Sequence, residues 1–288
     1  MGTSGSSGGP GGRTPLVPSW LGNSEAGPLP GGPDGPPPDG APPDGQAQPA
    51  PAPLPPIPAA PPPARFQNAR RNFSAFAGSR GGDRPALRRA VGHYVRSGTG
   101  GTHNATRRMA VSRAAASSAL GLFRGIQRNG IETTLRRLNL RDLVGRPLTD
   151  VFLGLTDIIC PDGGSIDEGI ARDAWIETVA VLEELGVAEA NLTTEQMQEI
   201  FLAFVAHTIE ARLFQDIGVN GIQIAADLSA IEAFEAQLRS YVRRSVRDSF
   251  TSDLANLPQF SDKQIQTVVD KTYDEAWQIL LTIGEAEP

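Results

Sequence analysis

The prolines of this chain are crowded at one end, and their distribution limits where a folded core can form. Of the 25 prolines, 20 lie within the first 64 residues, which are otherwise mostly Gly, Ala, Ser and Asp. A segment of this composition has too few large apolar side chains to bury. We therefore predict a disordered, Gly/Pro-rich N-terminal tail over residues 1–64 and one folded domain over residues 65–288, with two closely packed helical lobes as a variant.

After residue 64, apolar residues recur at intervals of three and four, which is the spacing of amphipathic helices. The longest predicted helix runs from about Ala105 to Gln127, and its Gly121 and Gly125 predict a close helix crossing. No segment alternates with a period of two, so no sheet is predicted. The expected fold class is an all-α, multi-helix domain, in which three helices begin with a capping box formed by the pairs Ser165 and Glu168, Thr193 and Gln196, and Ser261 and Gln264.

The net charge of −6 is the sum of two halves of opposite sign. Residues 65–146 carry 17 Arg against three acidic residues, a net +14, whereas residues 147–288 carry 8 Lys and Arg against 25 Asp and Glu, a net −17. Such a division suits a nucleic acid or an acidic partner at the basic end, and it equally allows the two halves to attract each other. We favour the internal or protein-partner interpretation, because nucleic-acid binding usually comes with a recognisable motif.

The residues that could carry catalysis are few. Of the three histidines, His207 has no second histidine four residues away, so the zinc-helix pattern is missing, and His93 and His103 have no metal-ligand spacing either. Cys160 is the single cysteine and precedes a proline at a predicted helix end, where a buried thiol is expected rather than a nucleophile. We predict a non-enzymatic protein with no catalytic residue, no metal site and no cofactor.

One glycine-rich loop is similar to a phosphate site. Glycines from Gly98 to Gly101 precede a helix, where backbone N–H groups can face an anion, and Arg107 and Arg108 add positive charge. The loop lacks the Gly-Lys-Ser/Thr ending of a P-loop and follows a predicted helix rather than a strand. Arg70, Arg71, Arg107 and Arg108 are therefore candidate anion or nucleic-acid contacts, with Arg136 and Arg137 as additional candidates.

The tail contains two features of its own. Residues 1–12 are almost all Gly and Ser, which makes an arm without bulky side chains that begins Met1-Gly2 and also matches the N-myristoylation pattern. Residues 14–21 hold the apolar cluster of the tail, and we expect them to anchor a partner protein, although a stray contact with the chain's own domain is the alternative. The anchor residues are Leu16, Val17, Trp20 and Leu21.

Several co-linear blocks resemble the QatB proteins of the bacterial Qat anti-phage defence system. The blocks are the opening Met1–Gly12, the anchor block 14–21, Arg70–Phe73 and the stretch Gly98–Met109. The resemblance covers the start of the tail and the basic region, while the acidic half is similar only in general character. It implies partners, because Qat systems also contain an ATPase (QatA type), a QueC-like enzyme (QatC type) and a TatD-like nuclease.

The resemblance also implies a role for Gly2. QueC enzymes activate 7-carboxy-7-deazaguanine with ATP and form an amide with ammonia, and in defence relatives the amine is thought to come from the N-terminal glycine of a partner protein. Gly2 matches that position, so it is the expected modification acceptor. The physical chemistry agrees, because a primary amine on a slim Gly/Ser arm can enter a pocket built for ammonia.

We therefore expect a cytoplasmic, non-enzymatic defence subunit that binds the QueC-like enzyme, with the system ATPase as the second candidate partner. The lone cysteine, the missing signal segment and the lack of a long apolar run favour a reducing cytosol and no membrane contact. The alternative is a nucleic-acid-binding sensor or scaffold that uses the Arg-rich half. An enzyme that uses the loop Gly98–Gly101 is the third hypothesis.

Overall fold

A computed structural model describes residues 64–161, 163–184, 192–217, 228–252 and 254–285. The predicted fold class is confirmed: the regular elements in these ranges are helical, with no strand among them. The tail and its predicted anchor and acceptor lie outside the described residues. The α-helices are α1 Gln67–Gly78, α2 Arg84–His93, α3 Thr102–Arg108, α4 Ala110–Asn129, α5 Ile131–Arg137, α6 Leu148–Gly154, α7 Thr156–Ile159, α8 Ile166–Glu184, α9 Thr194–Ile217, α10 Leu228–Ser249 and α11 Asp262–Glu285.

The three predicted capping boxes are all present. At the start of α8, the Ser165 N–H donates to Glu168 Oε2 at 2.9 Å and the Glu168 N–H donates to Ser165 Oγ at 3.2 Å. The same reciprocal pair joins Thr193 to Gln196 before α9 and Ser261 to Gln264 before α11. Each box satisfies N–H groups that a helix start leaves without partners, which is why these boundaries follow from local sequence.

Helix α9 is the central element of the core. Fifteen of its 24 residues are buried, including the polar His207, Thr208, Glu210 and Arg212. Helices α4, α8 and α10 pack against it, while α11 packs against α2, α3, α4 and α10. Because α9 is buried on all sides from Ile200 to Glu210, the charged residues in and next to this stretch need partners inside the protein, and these partners form the sites described below.

The predicted helix from Ala105 to Gln127 is wrong in one respect, because the structure divides it into α3 and α4 at Met109. Met109 leaves the helical conformation with φ −92° and ψ 21°, and its side chain is buried. At this break the carbonyl oxygen of Arg108 accepts a hydrogen bond from Nη2 of Arg212 at 2.9 Å. A long-range contact, which the local pattern cannot reveal, therefore supplies a partner at the interruption.

The close helix crossing also lies elsewhere than predicted. A Cβ added to Gly121 would meet no atom within 4 Å, and one added to Gly125 would meet only Thr134 at 3.4 Å. The crossing is between α2 and α11, where a Cβ on Gly284 would lie 2.6 Å from the Cα of Gly92. Two glycines 192 positions apart thus allow these two backbones to touch.

Candidate functional site

The predicted anion loop is a turn between helices, and one of its backbone N–H groups is already bonded within the chain. The chain leaves α2 through a π-helical turn, Tyr94–Thr99, and reverses at Gly100 and Gly101 with φ values of 81° and 105°. The Gly101 N–H donates to the carbonyl of Val95 at 2.8 Å. Positive φ explains the glycine pair without any ligand, because both residues adopt a conformation that other residues avoid.

The two arginines after this loop have different environments. Arg107 is exposed at the end of α3, whereas Arg108 turns toward α9. Nη2 of Arg108 lies 2.7 Å from both carboxylate oxygens of Asp216, and the Asp216 side chain is only 9% exposed. A short, charge-assisted contact with a nearly buried carboxylate ties the basic segment to the central helix.

Asp216 has further partners on the π-helical turn after α2 and on its own helix. The Tyr94 hydroxyl donates to its Oδ2 at 2.8 Å, and Nη1 of Arg212 lies 3.8 Å from its Oδ1. Burial, and then the negative charge of Asp216, raise the pKa of Tyr94 well above its ordinary value, so this hydroxyl stays a donor. Arg70 on α1 donates from Nε to the carbonyl of Ile217 at 2.9 Å. We name Tyr94, Arg108, Arg212 and Asp216 the Asp216 cluster.

Arg212 extends the Asp216 cluster to α8. Its Nη2 lies 2.5 Å from Oδ1 of Asp167, and its side chain is 8% exposed. One guanidinium thus joins α3, α8 and α9, because it also donates to the Arg108 carbonyl. A buried guanidinium needs several acceptors to offset its lost hydration, and here it has them.

Two more arginines of the basic half pair with the acidic half. Arg113 lies 2.5 Å from Asp270, and Arg124 lies 2.7 Å from Asp262. Both pairs join α4 to α11, and Arg124 also donates to the carbonyl of Phe260 at 2.7 Å. Together with the Arg108 pair, they mean that the opposite charges of the two halves attract each other within the folded chain.

The four candidate anion contacts therefore fall into two kinds. Arg70 and Arg108 hold the end of α9, whereas Arg71 and Arg107 are exposed and make no ion pair within the described ranges. Of the additional candidates, Arg136 lies 3.6 Å from Glu132 on its own helix, and Arg137 is exposed. Nucleic-acid contact by these residues stays a prediction.

Sequence reasoning missed the Asp216 cluster because its members come from two separate helices, α3 and α9, and from a turn. Only the spacing of Arg212 and Asp216, four residues apart on one helix, was visible in advance. The predicted modification acceptor Gly2 and the anchor residues Leu16, Val17, Trp20 and Leu21 lie outside the described residues, so their roles stay predictions.

A second group of titratable side chains lines a cleft of about 260 Å³ between α8, α9 and α10. His207 is 5% exposed there, with Nδ1 3.0 Å from Oε2 of Glu177. Arg239 lies 3.6 Å from Glu177 and 3.4 Å from Glu210. We name His207, Glu177, Glu210 and Arg239 the His207 cluster.

The pKa values in the His207 cluster move in opposite directions. Burial, followed by the charges of Arg243 and Arg239, lowers the pKa of His207 to about 4, so this imidazole is neutral. Burial raises the pKa of Glu210 to about 7 against the opposing effect of Arg239. A carboxyl group that titrates near neutrality can exchange a proton, but structural ion-pair networks shift pKa values in the same way.

The single cysteine is unsuited to nucleophilic chemistry. Cys160 is buried, and its thiol donates to the carbonyl of Ala171 at 3.3 Å. Burial raises the pKa of this thiol to about 12, so it stays protonated at neutral pH. Across the described ranges, no three His, Cys, Asp or Glu side chains are grouped so that they could hold a metal ion.

Comparison with known proteins identifies the family. A protein-family model described as "Qat anti-phage system associated protein QatB" matches residues 100–280, which is more than half of the chain. The chain belongs to the QatB family. No curated protein and no solved structure gives a significant match.

The QatB match lies in a different part of the chain from most of the sequence blocks that first resembled the family. It begins within the glycine-rich loop and includes the acidic stretch as far as residue 280, so the acidic half is similar to the family in more than general character. Three of the four members of the Asp216 cluster, Arg108, Arg212 and Asp216, fall inside it. Among the helices that the structure describes, none has the length and apolar character needed to cross a membrane.

Proposed function

We propose that this QatB-family protein is a non-enzymatic subunit of an anti-phage defence complex whose tail carries the reactive group. In this proposal residues 14–21 dock into a QueC-like enzyme, and the amine of Gly2 accepts a deazaguanine. The observation that carries it is the family match, which associates the chain with the Qat anti-phage system. The helical region over residues 65–288 binds the enzyme or the system ATPase.

The sequence of the tail supports docking through the anchor block. Leu16, Val17, Trp20 and Leu21 lie within six positions of one another in the sequence, next to Pro15 and Pro18, and the surrounding residues offer little else to bind. Large aromatic side chains often dominate the energy of an interface because they bury much area at small entropic cost. Pro15 and Pro18 reduce the conformational entropy that docking must remove.

The chemistry of an N-terminal glycine supports the acceptor role. Its α-amine has an ordinary pKa of about 7.7–8.0, so a useful fraction is unprotonated near neutral pH. That nitrogen would attack the acyl carbon of an adenylate held by the partner, after which the amide forms, AMP leaves and a proton is released. Gly2 needs no base from its own chain for this step.

The docking and acceptor roles are tested together by intact mass. The full chain is co-expressed either with an active QueC-like enzyme or with a variant that cannot form the adenylate. We expect the chain from the first culture to be heavier by one deazaguanine acyl group. Equal masses in cells that make the precursor would contradict the proposal.

Nucleic-acid binding is the second candidate function. Arg71 and Arg107, which are exposed and make no ion pair among the described residues, favour it, while the internal partners of Arg70 and Arg108 reduce the charge available to a phosphate backbone. If the basic face binds DNA or RNA, affinity will fall steeply with salt, and Arg71→Glu with Arg107→Glu will flatten that slope. No binding by the full chain at low salt would remove this candidate.

A further inference from the structure

The cleft that contains the His207 cluster is lined by more acidic than basic groups. It measures about 260 Å³ and lies between α8, α9 and α10. Its charged lining residues are Asp173, Glu177, Glu210, Glu235 and Arg239. Four carboxyl groups and one guanidinium give this lining a net negative charge when the carboxyl groups are ionised, which favours a positively charged ligand.

The imidazole of His207 gives an independent observation in the same cleft. Its side chain is 5% exposed, and neither ring nitrogen has a well-aligned hydrogen bond among the described residues. Nδ1 lies 3.0 Å from Oε2 of Glu177, and this carboxylate favours the proton of the neutral ring on Nδ1. Nε2 then carries a lone pair that is buried without a donor. Buried acceptors nearly always have a partner, and a ligand with N–H groups would supply one.

Arg239 leaves the carboxylates of this cleft with capacity for another donor. Its Nη2 lies 3.6 Å from Oε2 of Glu177, and its Nε lies 3.4 Å from Oε2 of Glu210. Well-formed hydrogen bonds between a cation and a carboxylate are shorter, at about 2.7–2.9 Å. The Glu210 side chain is only 7% exposed, so water has little access to the oxygens that Arg239 does not saturate.

We propose that the cleft between α8, α9 and α10 binds the ammonium group of a small alkylamine. An ammonium group has one positive charge and three N–H donors, which match Nε2 of His207 and the carboxylates of Glu177 and Glu210. Apolar lining for the alkyl chain comes from Ala174, Ala211 and Phe214. Pockets for drug-sized molecules usually measure about 300–1,000 Å³, so this smaller cleft suits a short amine.

A metal ion suits the cleft less well than an amine does. Within the described ranges, no three His, Cys, Asp or Glu side chains are placed to hold a metal ion. Arg239 also lines the cleft, and its repulsion of a divalent ion is twice its repulsion of a single charge at the same distance. An ammonium group needs acceptors around it but no fixed coordination geometry.

Glu210 gives this site a pH dependence near neutrality. Burial raises its pKa to about 7, whereas an ordinary carboxyl group titrates near pH 4. An alkylammonium group resembles that of lysine, with a pKa of about 10.4, and His207 has a pKa of about 4, so neither changes charge between pH 6 and 8. The other charged groups around Glu210 are Asp173 and Glu177 on α8 and Glu235, Arg239 and Arg243 on α10.

The affinity for an amine should therefore weaken as Glu210 takes up a proton. Its ionised fraction decreases from about nine-tenths at pH 8 to about one-tenth at pH 6, which predicts an affinity about tenfold lower at pH 6. The test is calorimetric titration of the full chain at constant low ionic strength and at pH 6, 7 and 8. The probes are n-butylamine, with one ammonium group, and 1,4-diaminobutane, with two. We expect both to bind most tightly at pH 8.

Three variants locate the binding. Glu210→Gln should lose about tenfold in affinity at pH 8 and lose the pH dependence. His207→Leu removes the Nε2 acceptor and should bind several-fold more weakly while the pH dependence remains. Glu132→Gln is the matched control, because it removes one carboxylate from an exposed position on α5, outside the cleft, and should bind both probes like the wild type.

The two probes distinguish the kind of amine. Equal affinities support a monoamine, while tighter binding of 1,4-diaminobutane supports a diamine whose second ammonium group contacts the exposed Asp173 or Glu235. A wild-type chain that melts cooperatively but binds neither probe would overturn the proposal. Equal losses in Glu132→Gln and Glu210→Gln would also overturn it, and so would a wild-type affinity that stays constant from pH 6 to 8, a result that needs no variant.

Discussion

Nη2 of Arg108 lies 2.7 Å from both carboxylate oxygens of Asp216 and joins the most basic stretch of the chain to the central helix α9. The Asp216 side chain is nearly buried, with 9% of its surface exposed. Tyr94 and Arg212 complete the cluster. The arginine that resembled an anion contact in sequence thus already has an anion within its own chain.

Removing the Asp216 carboxylate should destabilise the fold. Asp216→Ala leaves Arg108 and Arg212 without their shared partner, and loss of one member of a buried pair typically costs about 3–5 kcal/mol. Urea unfolding measures the change in the free energy of unfolding. Asp262→Ala is the matched control, because its pair with Arg124 has the same 2.7 Å length but a 92% exposed aspartate. Equal losses in the two variants would contradict a structural role for the Asp216 cluster.

Replacing glycine by alanine should have opposite effects on stability at Gly284, in the helix crossing, and at Gly121, outside it. Gly284→Ala forces a Cβ to within 2.6 Å of the Gly92 Cα, so α2 and α11 must separate, at a cost of about 1–3 kcal/mol. Gly121→Ala meets nothing within 4 Å in the middle of α4 and should stabilise the helix by about 0.5–1 kcal/mol. Thermal melting of both variants measures the difference. A neutral Gly284→Ala would show that the helices do not cross at this pair.

The His207 cluster predicts two opposing contributions to the pH dependence of stability. The folded-state pKa of His207 is about 4 against an ordinary 6.5, so the unfolded chain binds a proton first and stability falls as pH decreases from 6.5 to 4. The pKa of Glu210 is about 7 against 4.5, so its contribution is greatest below pH 4.5 and is lost as pH rises through 7. Between about pH 4.5 and 6.5 the two contributions oppose each other.

Single variants should separate these contributions. Relative to the wild type, the free energy of unfolding of Glu210→Gln should rise with pH between 4.5 and 7. The variant lacks the Glu210 contribution to stability, which decreases over this range in the wild type. That of His207→Gln should decrease with pH between 4 and 6.5. Each slope approaches about 1.4 kcal/mol per pH unit at most. Denaturant titrations at four pH values measure them, and parallel curves for all three proteins would refute the assignment.

Local sequence predicted the parts of this fold that are decided within one turn of helix. The boxes at Ser165, Thr193 and Ser261 are contacts between residues three apart, so their residue types are enough to identify them. The division at Met109 was not predicted, because the Arg108 carbonyl at the break accepts a hydrogen bond from Arg212, which is distant in sequence. Periodicity describes which face of a helix is apolar, but it carries no information about where a helix is interrupted by another element.

The sites were harder to predict than the fold for the same reason. Composition showed that the two halves carry opposite charges, but it did not show that Arg108 pairs with Asp216 or that Arg71 stays exposed. Arg84 on α2 and Arg244 on α10 line the same small cleft, although no sequence motif connects them. Such sites depend on helix packing, which assembles residues from remote segments.

The anchor block predicts a measurable loss of partner binding. Trp20→Ala in the full chain should weaken the complex with the QueC-like enzyme by about 2 kcal/mol or more, as truncation of a buried aromatic anchor does. Leu29→Ala, an apolar residue in the proline-rich spacer, is the control and should bind like the wild type. Isothermal calorimetry gives both affinities. Unchanged affinity for Trp20→Ala would remove the anchor role.

The mass of the N-terminal peptide tests the central claim most directly. The chain is co-expressed with an active QueC-like enzyme, alongside a Gly2→Leu variant and a Gly12→Leu control that changes the arm but keeps the terminal glycine. We expect the wild-type peptide to lack Met1 and to carry a deazaguanine acyl group on the Gly2 nitrogen. The Gly12→Leu control should carry the same group, and the Gly2→Leu variant should be unmodified. An unmodified wild-type peptide from cells that produce the deazaguanine precursor would contradict the claim.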